Sequence, residues 1–583
     1  MHQRTTARAV LLCIFQESRQ SNAQIPSGEK AGFNIRTGKR IQGLQPAPCA
    51  DKQDKQRGRH SFKAAPEEQF TEDTQMDNGE KEISGRGYWT YYKKDNQKVK
   101  ELFLNKEYEK TKVTGLGNFD GLFCFLIEVD FPSIFDFRPD CRQRVMIPVA
   151  YFLSTYSLKV ICELDSLNRI EDQLFKDRAL LELIGFTGTH FEKGFSKRSQ
   201  GKHLPFHITT MGKLFRDFSL AQTQDFFANS FKPLFNNRFI PKGTYIADAS
   251  SFYVSYNAAN YENTGVIRKD TENKRGYKLI TLKYARENEE KDEAEIFVAA
   301  IVVPLNHHES PYLIPLVAQA ISNIGQGKIK RIVMDRGFVD GENLYTLKYD
   351  YKIDFVIYSK SNMDVTKELN KHADDYKQRE KKKLPLPKNY FHEKDKETQV
   401  YGFNGLKWFW TYGKPEHQQE VKKKLYKKDK TLLTHPISGG IITKYKGRDM
   451  HSPITFLSSR RFGKTFTPLM AVALYRKRQY TENEGYRELK QGYKIGKFPS
   501  RRFNGVCLHF ILTLIMFNYI SCYKTKRGDR IAYLGLRRIH RDMVYPGIII
   551  YSSPYFGVFD SDEVLGWLGW KGRELRGPPF LVR

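Results

Sequence analysis

Hydrophobic and polar positions change period along this chain, and each change marks an element. From Val145 to about Lys232 the apolar pattern turns helical, with Leu153, Tyr156, Leu158, Ile161 and Leu164, then Ile170, Leu174, Leu180, Leu183 and Ile184. That spacing predicts several short helices, one starting at Thr209 or Thr210 before MGKLFRDF. The pattern then turns to β-rich runs at Thr244–Val254 (TYIADASSFYV), Tyr277–Tyr284 (YKLITLKY) and Ile296–Leu305 (IFVAAIVVPL), separated by polar turns. An antiparallel meander is expected there. A helix over Pro311–Ile324, a short buried strand RIVM (Arg331–Met334), a helix over Gly341–Tyr349 and an apolar strand IDFVIYS (Ile353–Ser359) follow.

The segment from about Ser361 to Lys464 interrupts this order. It opens on the lysine-rich stretch Lys377–Lys388 and continues with aromatic, strand-like pieces at Thr398–Tyr412 and Thr434–Tyr445, so a β-rich insertion is expected. Trp408 and Trp410 flank Phe409, and core packing and base stacking both account for them. Thr467–Lys494 then reads as one long helix, with Thr467 as N-cap, Pro468 at the first helical position and Gly492 as stop. Phe503–Tyr523 is a mostly apolar helix. Pro546–Ser553 and Glu563–Trp570 predict a strand and a short helix. Before Val145 the periodicity fades, and Phe131–Arg142 (FPSIFDFRPDCR) carries two prolines that argue against regular structure.

The expected fold class is α/β: a mixed sheet flanked by helices, with a helical N-terminal domain and a β-rich insertion domain. Three strands, helix, strand, helix, strand is the order of an RNase H-like core, an antiparallel meander extended by parallel strands through helical crossovers. The expected domains are 1–90, disordered; 91–144, an irregular lead-in; 145–240, helical; 241–363, the first part of the core; 364–464, the insertion; 465–525, the second part of the core; and 526–583, a basic tail. In the helical domain Lys193, Lys197, Arg198 and Lys202 are placed to grip DNA ends, or the domain is a structural cap; composition leaves both open.

Charge narrows the function. A formal charge of +30 favours a polyanionic partner, nucleic acid or an anionic membrane. Residues 441–545 hold 22 Lys or Arg against six Asp or Glu, so over half the excess gathers around the long helix. Seven cysteines without a C-x-x-C pair suggest neither a zinc ribbon nor a disulfide framework, and fit reduced cytoplasmic thiols. The N-terminal apolar run is short and Glu17 follows it closely, which argues against a signal peptide. Gly505–Cys522 contains His509 and Asn518 and is expected to be a buried helix rather than a membrane span.

Carboxylates carry the candidate chemistry. Asp248 lies inside the first strand between Ala247 and Ala249, and Asp335 ends the fourth, followed by Arg336. A carboxylate in an apolar strand is costly to bury without a cation or a hydrogen-bond network. If the two strands are parallel neighbours, the two aspartates approach each other. Tyr475, Arg478 and Glu482, three and four apart, place a hydroxyl, a guanidinium and a third carboxylate on one helix stripe. Hard oxygen ligands suit Mg²⁺ or Mn²⁺, and a site of two ions would permit in-line displacement at phosphorus. For each acidic residue alone, a capping or turn role is the competing reading.

The segments IADAS around Asp248, RGYKL (Arg275–Leu279), VMDRGF around Asp335, IDFVIYSKSN (Ile353–Asn362) and YRKRQYTENEGYRELKQGYKIGKFPSRR together resemble a bacterial or archaeal insertion-sequence transposase of the DDE type. The branch is the one with a Tyr-Arg-Glu-Lys signature and a β-rich insertion before its glutamate. The resemblance covers roughly Val145–Tyr523. It implies an RNase H-like enzyme that uses divalent metal and an Asp-Asp-Glu triad, here Asp248, Asp335 and Glu482, to nick transposon ends and join them to target DNA. It also implies Tyr475 and Arg478 as signature partners; these two, with Lys490 and Arg336, are the candidates for binding DNA phosphates near the cut.

The family lysine follows the glutamate by seven positions, whereas Lys490 is eight on. A regular helix turns it about 80° from Glu482, and a π-bulge would absorb the extra residue. Glu484 is about 200° around the helix from Glu482, which leaves Glu482 as the preferred ligand. The expected partners are double-stranded DNA, as terminal inverted repeats and target, and a second copy of the chain when DNA is bound. No membrane partner is expected, and the location is cytoplasmic, at the nucleoid. A DNA-binding remnant without catalysis and an RNase H-like nuclease without joining activity are the alternatives.

Overall fold

The computed structural model describes residues within 89–567, apart from 90–91, 106, 108–110, 115–119, 137–146, 196–203, 258–259, 270, 287–292, 427–434, 481–484, 528–546 and 553. Apart from Trp89, which is buried, the span 1–90 expected to be disordered lies outside the described residues, as do the basic residues Lys197, Arg198 and Lys202 and the carboxylates Glu482 and Glu484.

Two sheets organise the described chain. The smaller joins the two ends: β1 (Lys93–Lys94), β2 (Thr111–Thr114), β13 (Gly547–Ser552) and β14 (Tyr555–Asp560) in the order β1-β14-β13-β2. The lead-in expected to be irregular therefore carries regular elements, including helices at Asn96–Leu104 and Asp120–Glu128 and a 3₁₀ turn at Phe131–Asp136. Pro132 occupies that turn because a proline is tolerated where no intrahelical N–H bond is required. Val99, Phe103, Ile550, Phe559 and Val564 form a small core between the chain ends. These contacts join segments more than 400 residues apart, so no local pattern foretells them.

The large sheet has ten strands: β3 (Gly243–Val254), β4 (Gly265–Lys269), β5 (Glu272–Tyr284), β6 (Phe297–Pro304), β7 (Ile329–Met334), β8 (Asp354–Tyr358), β9 (Tyr390–Lys394), β10 (Gln399–Leu406), β11 (Ile437–Tyr445) and β12 (Arg448–Ser458). Their order is β4-β5-β3-β7-β8-β12-β11-β10-β9, with β6 pairing β5. β3 and β5, and β5 and β6, pair antiparallel, while β7 is parallel to both β3 and β8. The helices Leu313–Ile324 and Gly341–Tyr349 make the crossovers. This is the predicted meander with parallel extensions, plus the β4 strand that sequence reading did not assign. Gly276 marks the meander's closest approach: a Cβ there would fall 2.0 Å from Phe252 O across the β3–β5 pair.

Two expectations for 364–464 change. Its strands do not form a sheet of their own, because β12 pairs with β8 in register Leu457↔Ile357 and extends the core sheet. Two helices also occupy it, Asp364–Lys381 and Pro415–Tyr426. The first buries Val365, Leu369, Ala373 and Tyr376, a helical stripe concealed by the lysines around it. Trp408 follows the end of β10 and is 44% exposed while Phe409 is buried, so strand alternation does not govern these rings.

The helices of 145–240 gather around the Phe503–Arg527 helix, which packs on Val149–Ile161, Ile208–Asp217, Leu220–Asn229 and β6. That helix is long and apolar enough to cross a membrane, but its apolar stretch is entirely buried inside the fold. The helix expected to start at Thr209 or Thr210 starts at Ile208, with His207 Nδ1 accepting from Thr209 N at 3.2 Å; an imidazole nitrogen replaces the expected hydroxyl cap.

Candidate active site

Strand register brings the two aspartates together. Ala247 pairs with Met334 where β3 and β7 run parallel, so Asp248, the next residue of β3, stands beside Asp335, the residue that follows β7. Neighbouring strands are about 4.8 Å apart, and adjacent register positions project to one face. β7 ends at Met334, and a 3₁₀ turn from Arg336 to Phe338 leaves Asp335 half-buried and Arg336 exposed. β3 continues to Val254, so Asp248 lies within the sheet and is only 5% exposed.

The Pro468–Tyr480 helix lies across this pair. Thr467 Oγ1 accepts from Met470 N at 3.2 Å, the N-cap predicted from sequence, and Pro468 opens the helix. Its apolar side packs on Ile246, Val333, Val356, Val400, Ile442 and Phe456, which belong to β3, β7, β8, β10, β11 and β12. Core and insertion strands thus share one hydrophobic core beneath this helix. Gly402 in β10 allows the close approach: a Cβ there would meet Pro468 Cγ at 2.3 Å.

The same helix bridges both carboxylates. Arg478 donates to Asp248 Oδ1 at 3.3 Å, and the Tyr475 hydroxyl donates to Asp335 Oδ1 at 3.4 Å. Arg478 also stands 5.5 Å from the centre of the Tyr475 ring. Burial pushes the Tyr475 phenol well above its ordinary range, Arg478 pulling it back only in part, so the hydroxyl stays a proton donor. The Tyr358 ring stacks on Tyr475 with centres 3.3 Å apart and planes 8° apart. Asp248 Oδ1 also accepts from Ala249 N at 2.9 Å.

The regular helix expected from Thr467 to Lys494 is not continuous. The first helix ends at Tyr480, a π-helical turn occupies Gly485–Tyr486, and a second helix, Arg487–Gln491, ends against Gly492. A π turn adds one residue to a helical circuit. Lys490 is exposed on the second helix, its ammonium 5.0 Å from the centre of the Phe252 ring on the strand that carries Asp248.

Sequence reasoning missed three supporting groups. Tyr486 OH donates to Asp248 O at 3.0 Å and bonds Thr281 Oγ1 at 2.7 Å, joining the π turn to β3 and β5. Lys278 Nζ donates to Glu309 Oε1 at 2.7 Å and to His307 O at 2.6 Å. Glu309 lies against Gly337, where a Cβ would be 2.8 Å from its Oε2, and so backs the turn after Asp335. Lys278 belongs to RGYKL and Gly337 to VMDRGF, so both fell inside stretches already singled out. The third is Lys283, buried in an ion pair with Glu295 at 2.6 Å; Glu295 is held below its usual range although burial opposes this, because Lys283 and Arg286 face it.

Two carboxylates, one within β3 and one just past the end of β7, supply hard oxygen donors of the kind that divalent cations take. Among the described residues no group of three potential ligands gathers; Glu482, expected as the third, lies outside them. Residues 243–519 match the model of a family described as a transposase DDE domain, a span that takes in Asp248, Asp335, Tyr475, Arg478 and Lys490. The match supports DNA transposition as the class of function. No curated protein matches the chain.

Proposed function

We propose that this chain is an insertion-sequence transposase of the branch with a Tyr-Arg-Glu-Lys signature, cutting and joining DNA strands with Asp248, Asp335 and Glu482 as its carboxylates. The observation that carries the reading is the placement of Asp248 and Asp335, each one residue past the paired Ala247 and Met334, and each bonded by a residue of one helix, Arg478 and Tyr475. The domain match adds the reaction class.

Asp248 and Asp335 would hold Mg²⁺ or Mn²⁺, with Glu482 completing the set; two such ions supply an activated hydroxyl nucleophile and neutralise the leaving oxygen. The protein's own groups arrange that site. Arg478 balances the Asp248 charge in a buried setting, and Tyr475 orients Asp335 through its hydroxyl. Lys490 and Arg336, both exposed, contact phosphates flanking the cut. The substrate is double-stranded DNA, as terminal repeats and target, bound by two copies of the chain in the cytoplasm.

Cleavage of terminal-repeat DNA in Mg²⁺ or Mn²⁺ tests this reading. Asp335→Ala is expected to keep DNA binding and to lose cleavage, and undiminished cleavage by that variant overturns the assignment. A strand-transfer assay on the intact protein separates a joining enzyme from a nuclease.

A further inference from the structure

A cavity of about 580 Å³ opens beyond the far end of β3, away from the carboxylates. Its wall is built from the C-terminal part of the Val149–Ile161 helix, the Asp165–Asn168 turn, residues 253–255 at the end of the meander's first strand, and the loop 496–499. Tyr253 is five residues beyond Asp248, roughly 17 Å along the strand. The volume is that of a small-molecule site.

Lys159 makes this cavity unusual. Its side chain is 1% exposed, and its Nζ finds no hydrogen-bond partner among the described residues. A buried ammonium without acceptors is costly, since it has given up water for nothing of equal strength. What surrounds it gives little back. The Tyr156 ring centre lies 5.1 Å away. His509 is neutral, its Nε2 donating to Ile495 O at 2.8 Å and its Nδ1 accepting from Tyr156 at 2.6 Å. Asp165, on the cavity wall, is engaged by Arg169 at 3.0 Å. Burial lowers the Lys159 amine to about 8, with Asp165 raising it only in part.

The rest of the wall has the mixed character of a nucleotide site. Lys497 is exposed at the rim, while Tyr253, Tyr261 and Phe498 present rings. Tyr253 is 41% exposed, and Phe498 is held edge-on by Tyr277, His509 and Phe510. An anion entering here meets two cations, and a base beside it meets aromatic faces, the combination that binds single strands irrespective of sequence.

We propose that this cavity is a phosphate-binding site for a nucleotide unit, in which the Lys159 ammonium takes the phosphate and an adjoining base stacks on the Tyr253 and Phe498 rings. The phosphate belongs either to a DNA strand or to a free nucleotide; the shared chemistry is a phosphate ester with its base. The cavity includes no carboxylate of the candidate active site, so an empty cavity would leave the transposase reading standing.

Pyridoxal 5′-phosphate tests the site on the full-length protein. Its phosphate is held by the exposed Lys497 ammonium at the rim, and its aldehyde condenses with the uncharged form of the Lys159 amine, releasing water; borohydride then reduces the imine and mass spectrometry locates it. Lys159 is expected to be labelled ahead of the exposed lysines, and saturating ligand to protect it at least tenfold. Protection by a single-stranded oligonucleotide but not by a deoxynucleoside monophosphate identifies a DNA strand as occupant, and the reverse identifies a free nucleotide. Absence of labelling, or labelling that neither ligand slows, overturns the proposal. Lys159→Met is expected to weaken binding of whichever of the two ligands protects Lys159 about tenfold without lowering the thermal midpoint; if that variant does not fold, protection in the unaltered protein decides. Unaltered binding by folded Lys159→Met overturns the proposal.

Discussion

The Arg478 guanidinium donates to Asp248 Oδ1 at 3.3 Å, with the two side chains 16% and 8% exposed. Removing one partner of a buried pair strands the other charge, which costs more than the pair contributes. Arg478→Gln is expected to lower stability by about 3 kcal/mol in urea denaturation. Adding Asp248→Asn should restore part of the loss, and strictly additive effects would show that the two residues are not coupled.

Divalent cations should stabilise the protein through the same carboxylates. Mn²⁺ at about 100 times its dissociation constant adds about 2.7 kcal/mol to a site that exists only in the folded state. The rise in thermal midpoint is expected in the unaltered protein, to be lost on chelation, and to be absent from Asp248→Asn and Asp335→Asn.

Tyr475 has separable duties in its ring and its hydroxyl. Tyr475→Phe keeps the stack on Tyr358 and removes the donor to Asp335, so stability should change by about 1 kcal/mol while strand cleavage falls. Tyr475→Ala also opens a cavity beneath the helix and should cost about 3 to 5 kcal/mol. Denaturation and cleavage measured on both variants separate the two.

His509 predicts acid sensitivity. Burial, with Lys159 nearby, lowers the folded imidazole to about 3 from an ordinary 6.5. Between those values the unfolded chain binds the proton and the folded chain does not, so stability falls as pH drops through that window. This group alone contributes a slope of up to about 1.4 kcal/mol per pH unit, which a series of urea midpoints from pH 7 to pH 4 would register. His509→Gln should flatten the slope.

The Thr467 cap offers a milder test. Its hydroxyl accepts from Met470 N at the start of the helix that carries Tyr475 and Arg478. Thr467→Ala is expected to cost about 1 kcal/mol, and Thr467→Ser to cost little, in thermal unfolding.

Local chemistry made much of this protein legible from sequence. Period-two and period-3.6 patterns located the meander, the crossover helices and the buried Phe503–Arg527 helix, because side chains alternate or wind with their backbone. The Thr467 cap, the Gly492 stop and the stripe shared by Tyr475 and Arg478 depend on neighbours within a few residues. Asp248 drew notice because a carboxylate between alanines in a strand requires compensation.

Long-range register decided the rest. The pairing Ala247↔Met334 sets Asp248 beside Asp335, and the pairing Leu457↔Ile357 makes the insertion strands an extension of the core sheet. The sheet that joins β1 and β2 to β13 and β14 likewise has no local signature, since its contacts span nearly the whole chain. Tyr486 and Lys159 read as an ordinary aromatic and an ordinary helical lysine until folding puts one against Asp248 and buries the other at the wall of a cavity. Sequence determines which faces are apolar and where helices begin, because those follow from adjacent residues; which charges end up buried together is set by the packing of distant segments, and only the tertiary structure supplies it.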